Sequence, residues 1–198
     1  MNRFEPYVEF HPYLLRVPLR IPSGEEVFVE IGPGTSFGSG HDTTRLCIKA
    51  VEEVFRSRRI KSVLDFGCGS GILGISAAVL GAESVLAIDI DPVAVEEAGG
   101  NAKRNGMGSR VRVMLASIED VRERFDLVIA NIVTDELIRM VEGIRSVLEE
   151  GGALVVSGIS ELKKEVAVSA FREAGFNLRR EFIEGGWVAI WFDFMLPK

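Results

Sequence analysis

Short apolar runs alternate with longer stretches that carry a helical stripe, and this alternation predicts most of the architecture. Residues 62–66, 84–89, 111–115, 125–130 and 153–157 are rich in Val, Leu and Ile and apolar at successive positions, as strands buried on both faces of a parallel sheet require. Between and after them, residues 71–80, 92–105, 135–149 and 161–174 place apolar side chains three and four apart, and three of these stretches end near Gly81, Gly106 or Gly175. Each is predicted to be a helix, with glycine as the stop. Strand then helix, repeated, predicts a doubly wound α/β sheet. Residues 177–184 and 187–194 flank Gly185-Gly186 with no helix between them, so the last strand is expected to pair antiparallel.

Ahead of this pattern, residues 14–31 alternate in character and break at Pro22-Ser23-Gly24. Two short strands joined by a turn are predicted, kept at an edge by Pro18 and Pro22. Residues 42–58 set Leu46, Ala50, Val51, Val54 and Phe55 on one helical face, with Asp42 or Thr43 as N-cap. No repeat, low-complexity tract or linker interrupts the pattern, and a single domain spanning 1–198 is expected.

Composition narrows the class. With 47% hydrophobic and 26% charged residues in 198, disorder, collagen and disulfide scaffolds are excluded. The 23 Lys and Arg against 29 Asp and Glu give a net charge of −6, which disfavours nucleic acid and anionic membranes as partners and favours a basic one. Cys47 and Cys68 form neither a disulfide framework nor a metal-ligand spacing, and with only two histidines no metal site is expected. The start of the chain lacks the basic tip and apolar run of a signal peptide, and no stretch approaches 18 apolar residues, so the reading is a cytoplasmic protein. Nothing in the pattern specifies an oligomeric state.

The most informative stretch is Asp65-Phe66-Gly67-Cys68-Gly69-Ser70-Gly71, a buried strand entering a glycine-rich turn ahead of a helix. Such a loop lets a nucleotide cofactor approach the backbone at the carboxyl end of a strand. Residues 69–74 also match the dinucleotide fingerprint, with Asp89 at the right distance for ribose, so a nicotinamide-dependent oxidoreductase is one reading. Asp65 separates the two. A carboxylate there repels a pyrophosphate but favours the sulfonium and α-amino groups of S-adenosylmethionine. Asp89 is expected to accept from the ribose hydroxyls, Ile90 to flank the adenine and Asp91 to cap the helix that Pro92 opens. Ser117 follows the third strand, at the adenine edge. Asn131 ends the fourth, where its amide oxygen can orient an amine nucleophile, while Thr134 or Asp135 is better placed to cap the next helix.

Four segments read together, residues 33–44, 65–71, 88–92 and 130–132, resemble the ribosomal protein L11 lysine methyltransferase family in residues, order and spacing. The resemblance spans residues 28–193. It implies a class I methyltransferase, Rossmann-like, mostly parallel with an antiparallel last strand and preceded by an N-terminal β-hairpin: residues 1–31 as N-terminal strands, 32–198 as the cofactor-binding and catalytic core. Thr44, Gly67, Asp89 and Asn131 fall at that family's cofactor positions, with Phe37, Gly38, Thr43, Asp65, Gly69, Gly71, Ile90 and Ser117 beside them. Phe37 and His41 would line the entrance for the target amine, and Asn131 would be catalytic.

Two departures stand out. The family usually has one more residue and a proline between the second loop glycine and the threonine pair. Its bacterial members also carry a separate domain that grips the ribosomal protein, and the residues ahead of position 32 are too few to form it. The implied substrate is therefore a protein lysine or N-terminal amine, a ribosomal protein being one candidate. Nucleic-acid and small-molecule methyltransferases share the fold, but Ile132-Val133-Thr134 supplies no aromatic to stack a flipped base.

Overall fold

Residues with no polar group to satisfy in the plane of a sheet collect at its centre, and here they build a seven-stranded one. The computed structural model describes residues 9–11, 14–36 and 40–195. Its main sheet contains β4 (Ser62–Phe66), β5 (Ser84–Asp89), β6 (Val111–Leu115), β7 (Phe125–Asn131), β8 (Leu148–Ser160), β9 (Phe176–Glu184) and β10 (Trp187–Phe194), in the order β6-β5-β4-β7-β8-β10-β9. The first five pair in parallel, and β10 pairs antiparallel with both β8 and β9. The last strand is antiparallel as expected, and it lies inside the sheet with β9 at the edge. The order reverses between β4 and β7, the switch point where open α/β sheets form a crevice.

Alternation along each strand divides the core. Val63, Val85, Leu127 and Val155 face one layer, containing α1 (Asp42–Ser57), α2 (Ile72–Leu80) and α3 (Pro92–Arg104). Leu64, Leu86, Val128 and Val156 face the other, built by α4 (Thr134–Arg139), α5 (Val141–Ser146) and α6 (Lys164–Glu173). All but Val85 and Leu86 are 0% exposed, and those two are nearly so.

Several boundaries differ from expectation. The helix predicted over 135–149 is two short helices broken at Met140. The break lays Gly143 against Ile118, where a Cβ would come within 2.9 Å of its Cγ2. Strand β8 starts at Leu148, within the stretch predicted as the end of that helix and ahead of the predicted strand 153–157, because Leu148 pairs with Phe125 across an irregularity in the ladder. A 3-10 turn at Glu161–Lys163 takes the start of the predicted last helix. The N-terminal segment is a three-stranded sheet, β1 (Glu9–His11), β2 (Leu14–Arg20) and β3 (Glu26–Ile31). Pro18 is thus in the central strand rather than at an edge, and β1 spares it by pairing only with residues 14–16. Leu19, Val29 and Ile31 of this sheet join the core layer of α1 and α2.

Candidate active site

Strand β4 ends in a turn whose glycines 67, 69 and 71 have φ of 69°, 52° and 79°, a left-handed backbone that side chains disfavour. Space is closed as well as conformation: a Cβ on Gly71 would lie 2.9 Å from Ala98 Cβ in α3. The amides of this turn are directed inward. Gly67 and Cys68 N–H both donate to Ile88 O at 3.0 Å, Gly69 N–H to Asp89 Oδ2 at 2.9 Å and Gly71 N–H to Cys68 O at 2.8 Å. A pyrophosphate cradle presents such donors outward, and these four are already bonded within the protein.

Beneath the turn, Asp65 is fully buried, and its Oδ2 accepts the Gly74 amide at 2.7 Å while Oδ1 has no partner among the described residues. Burial raises its pKa from 3.8 to about 7; the Gly74 amide opposes the shift and the negative Asp89 adds to it.

Over the carboxyl ends of β4, β5 and β7 lies a cavity of about 670 Å³. Of the residues singled out in the sequence, it brings together His41, Thr43, Gly67, Gly69, Asp89, Ile90, Ser117 and Asn131 on its walls. Thr44, Asp65 and Gly71 sit behind the wall, and Phe37 and Gly38 lie outside the described residues. Ile90 is 77% exposed at the end of β5, an apolar face with nothing of the chain upon it. Asp89 uses one oxygen for the Gly69 amide and the other for the Asp91 amide, and Asp91 caps α3 through Val93 N–H as expected.

Asn131 is the last residue of β7, one position beyond the predicted run 125–130, and it is only 7% exposed. Its Nδ2 donates to Thr44 Oγ1 at 3.1 Å, while Oδ1 is buried without a partner among the described residues. The first turn of α1 that holds Thr44 is itself pinned, since Ser157 Oγ of β8 donates to Thr43 O at 3.0 Å. The N-cap of α1 is His41, not Asp42 or Thr43. Its Nδ1 accepts from Thr43 N–H at 3.3 Å, and its ring meets Trp187 edge to face with centroids 5.3 Å apart. Thr134 does not cap α4 either; its hydroxyl donates to Gly158 O at 3.3 Å, and the cap position is Val133.

Trp187, Gly158, Glu136 and Met140 also line the cavity and were not singled out from sequence. A glycine inside an apolar strand is a recognised sign of close backbone approach, and Gly158 is one: its φ is 81°, and a Cβ there would lie 2.2 Å from Ile132 O. Every charged residue on the walls is acidic, namely Asp89, Asp91, Glu119 and Glu136.

Comparison with known proteins adds lineage to this geometry. Residues 6–194 match the family model described as ribosomal protein L11 methyltransferase (PrmA). A ribosomal protein L11 methyltransferase of Pelotomaculum thermopropionicum is 42% identical over 167 residues, covering 83% of this chain and 54% of that protein. One from Exiguobacterium is 40% identical over 171 residues, covering 85% and 54%. The chain thus spans about half the length of the curated relatives it matches. Among solved structures, the ribosomal protein L11 methylase of Lactobacillus delbrueckii superposes with a TM-score of 0.77 at 34% identity, covering 84% of each chain. The N-methyltransferase NodS of Bradyrhizobium japonicum, solved with S-adenosyl-L-homocysteine, shares the fold at 16% identity and a TM-score of 0.61, covering 78% of this chain and 89% of that one.

Proposed function

The chain belongs to the ribosomal protein L11 methyltransferase family, and on that footing we propose that it transfers a methyl group from S-adenosylmethionine to an amine nitrogen of a protein. A lysine side chain or an N-terminal amine of a basic protein is the target, with a ribosomal protein the first candidate. The observation that carries this reading is Asn131: a buried amide oxygen without a partner, on the cavity wall, its orientation held by Thr44. An amine donates the hydrogen bond that this oxygen lacks.

The residues present fit the cofactor. Asp89 stands at the end of β5 with oxygen lone pairs to spare for ribose hydroxyls, and exposed Ile90 offers an apolar face to adenine. The inward-bonded amides of the glycine turn and the carboxyl of Asp65 beneath it suit a ligand without phosphate, which disfavours the dinucleotide reading. When bound, the sulfonium supplies an already activated methyl group, and the chain's own task is to strip water from the amine and align it. A lysine amine must also be neutral to attack. Its ordinary pKa of about 10.4 makes neutrality at pH 7 cost roughly 4 to 5 kcal/mol; burial in this cavity works to lower that cost, and the acidic residues on its walls work against it. Asn131 Oδ1 accepts one N–H and leaves the lone pair directed at the methyl carbon.

The test is incubation of the purified protein with radiolabelled S-adenosylmethionine and a cell lysate split into nuclease-treated and protease-treated halves. Label that survives nuclease and is lost to protease supports a protein substrate. Label lost to nuclease overturns it in favour of a nucleic acid.

A further inference from the structure

One face of α3 carries a row of polar side chains four residues apart, Glu97, Asn101 and, at its C-cap, Asn105. None of them lines the cavity. All three reach out of the helix to the same stretch of chain, the end of β3 and the loop behind it. Asn105 Oδ1 accepts from Glu30 N–H at 2.8 Å and its Nδ2 donates to Glu30 O at 2.7 Å. Asn101 Oδ1 accepts from Gly32 N–H at 2.9 Å, while its Nδ2 donates to Ser70 O at 2.9 Å in the glycine turn. Glu97 receives the Thr35 amide on Oε1 at 2.8 Å and the Ser36 amide on Oε2 at 3.1 Å, with the Thr35 hydroxyl also on Oε1 at 3.3 Å. Gly34 lies so close that a Cβ would come within 2.4 Å of Glu97 Oε2.

Thr35 and Ser36 are cavity wall. Their place is therefore set by a carboxylate outside the cavity, and a helix that also grips the glycine turn fixes this loop and that turn relative to each other. Consecutive amides that converge on one carboxylate are strong, directional contacts, and among the described residues no other side chain bonds to these two amides.

We propose that Glu97 is a positioning residue that sets the affinity for the cofactor through Thr35 and Ser36, with Asn101 coupling the same loop to the glycine turn. The proposal rests on the reading that the cavity holds S-adenosylmethionine. It predicts an effect on binding without an effect on folding, because Glu97 is partly exposed and belongs to no core cluster.

The experiment is calorimetric titration of the whole chain with S-adenosyl-L-homocysteine, alongside thermal midpoints, for the wild type, Glu97→Ala, Glu97→Asp and the exposed neighbour control Glu96→Ala. Loss of the two amide contacts is expected to weaken binding about tenfold in Glu97→Ala, with partial recovery in Glu97→Asp and a midpoint no lower than that of Glu96→Ala. Asn101→Asp keeps the acceptor for Gly32 and loses the donor to Ser70; it is expected to weaken binding by a similar factor. A Glu97→Ala affinity within twofold of wild type, or a midpoint that falls together with it, overturns the positioning role. Absence of measurable binding by the wild type overturns the cofactor reading itself, and the two failures are thereby distinct.

Discussion

The glycine-turn wall of the cavity comes from two consecutive strand-loop-helix units, β4 to α2 and β5 to α3, whereas the opposite wall assembles His41, Asn131, Gly158 and Trp187 from four separate elements. On the first wall the polar groups are largely matched: the amides of Gly67, Cys68 and Gly69 and both oxygens of Asp89 have partners inside the protein, and the unmatched Asp65 Oδ1 and Ser70 Oγ belong to residues that do not line the cavity. On the second, Asn131 Oδ1 is buried and unmatched. A wall complete in itself suits a ligand held by shape and charge. An unmatched acceptor marks the place where a donor has to arrive, and the proposed function accordingly puts the cofactor on one wall and the amine on the other.

The severest way to break this division is to deform the second wall. Gly158 touches the backbone that follows Asn131, with a would-be Cβ 2.2 Å from Ile132 O at a φ of 81°. Gly158→Ala combines left-handed strain with overpacking and is expected to cost up to roughly 5 kcal/mol of stability. Urea denaturation measures it. A loss below about 1 kcal/mol, within the range of ordinary surface changes, would mean that the second wall yields easily.

Next in size is a pH effect confined to the first wall. Asp65 has a pKa of about 7 in the folded chain against 3.8 ordinarily. Between those values the folded protein holds a proton that the unfolded chain has released, so stability falls as pH rises through the window and the penalty is complete above pH 7. Three pH units correspond to about 4 kcal/mol. Denaturation midpoints of wild type and Asp65→Asn at pH 5 and pH 8 should converge at the lower pH and separate at the higher, with the variant more stable. Parallel pH profiles would show that burial does not hold the proton on Asp65.

The first wall was legible in the sequence and the second only in part, Asn131 and His41 having been read and Gly158 and Trp187 not, for a reason visible in particular residues. Asp65 and Asp89 lie at the ends of their own strands, and Gly67, Gly69 and Ile90 follow within three residues, so periodicity places the strand and the strand places the residue. All five strands from 62 to 157 were read with correct starts except β8, whose polar Glu149-Glu150 opening hides a ladder. Trp187 reaches the cavity only because β10 inserts between β8 and β9 and sets it opposite Ser160. No local pattern carries that register. His41 was read as a contact and proves also to cap α1, a role usually left to Ser, Thr, Asp or Asn.

On the second wall, Asn131→Ala removes the unmatched acceptor and the Thr44 contact together. Turnover is expected to fall about 100-fold, equivalent to about 2.7 kcal/mol of barrier, from lost orientation of the nucleophile. Affinity for S-adenosyl-L-homocysteine should change by no more than a few-fold. Steady-state rates paired with calorimetry read both. Intact turnover would end the assignment of Asn131 to the amine.

The smallest effect separates the walls most cleanly. Trp187 stands edge to face with His41 at 5.3 Å on the second wall. Such a ring pair contributes about 0.5 to 1.5 kcal/mol beyond burial, enough to shift a binding constant by about tenfold at most. If the ring shapes the entrance for the amine, Trp187→Ala raises KM for the methyl acceptor by that factor. It leaves kcat within about twofold, as loss of uniform binding requires. Trp187→Phe keeps a ring and recovers most of the loss. The opposite split, a weakened affinity for S-adenosyl-L-homocysteine with an unchanged acceptor KM, would place Trp187 on the cofactor's side, and the boundary between the walls would then run through β10 rather than between β4 and β7.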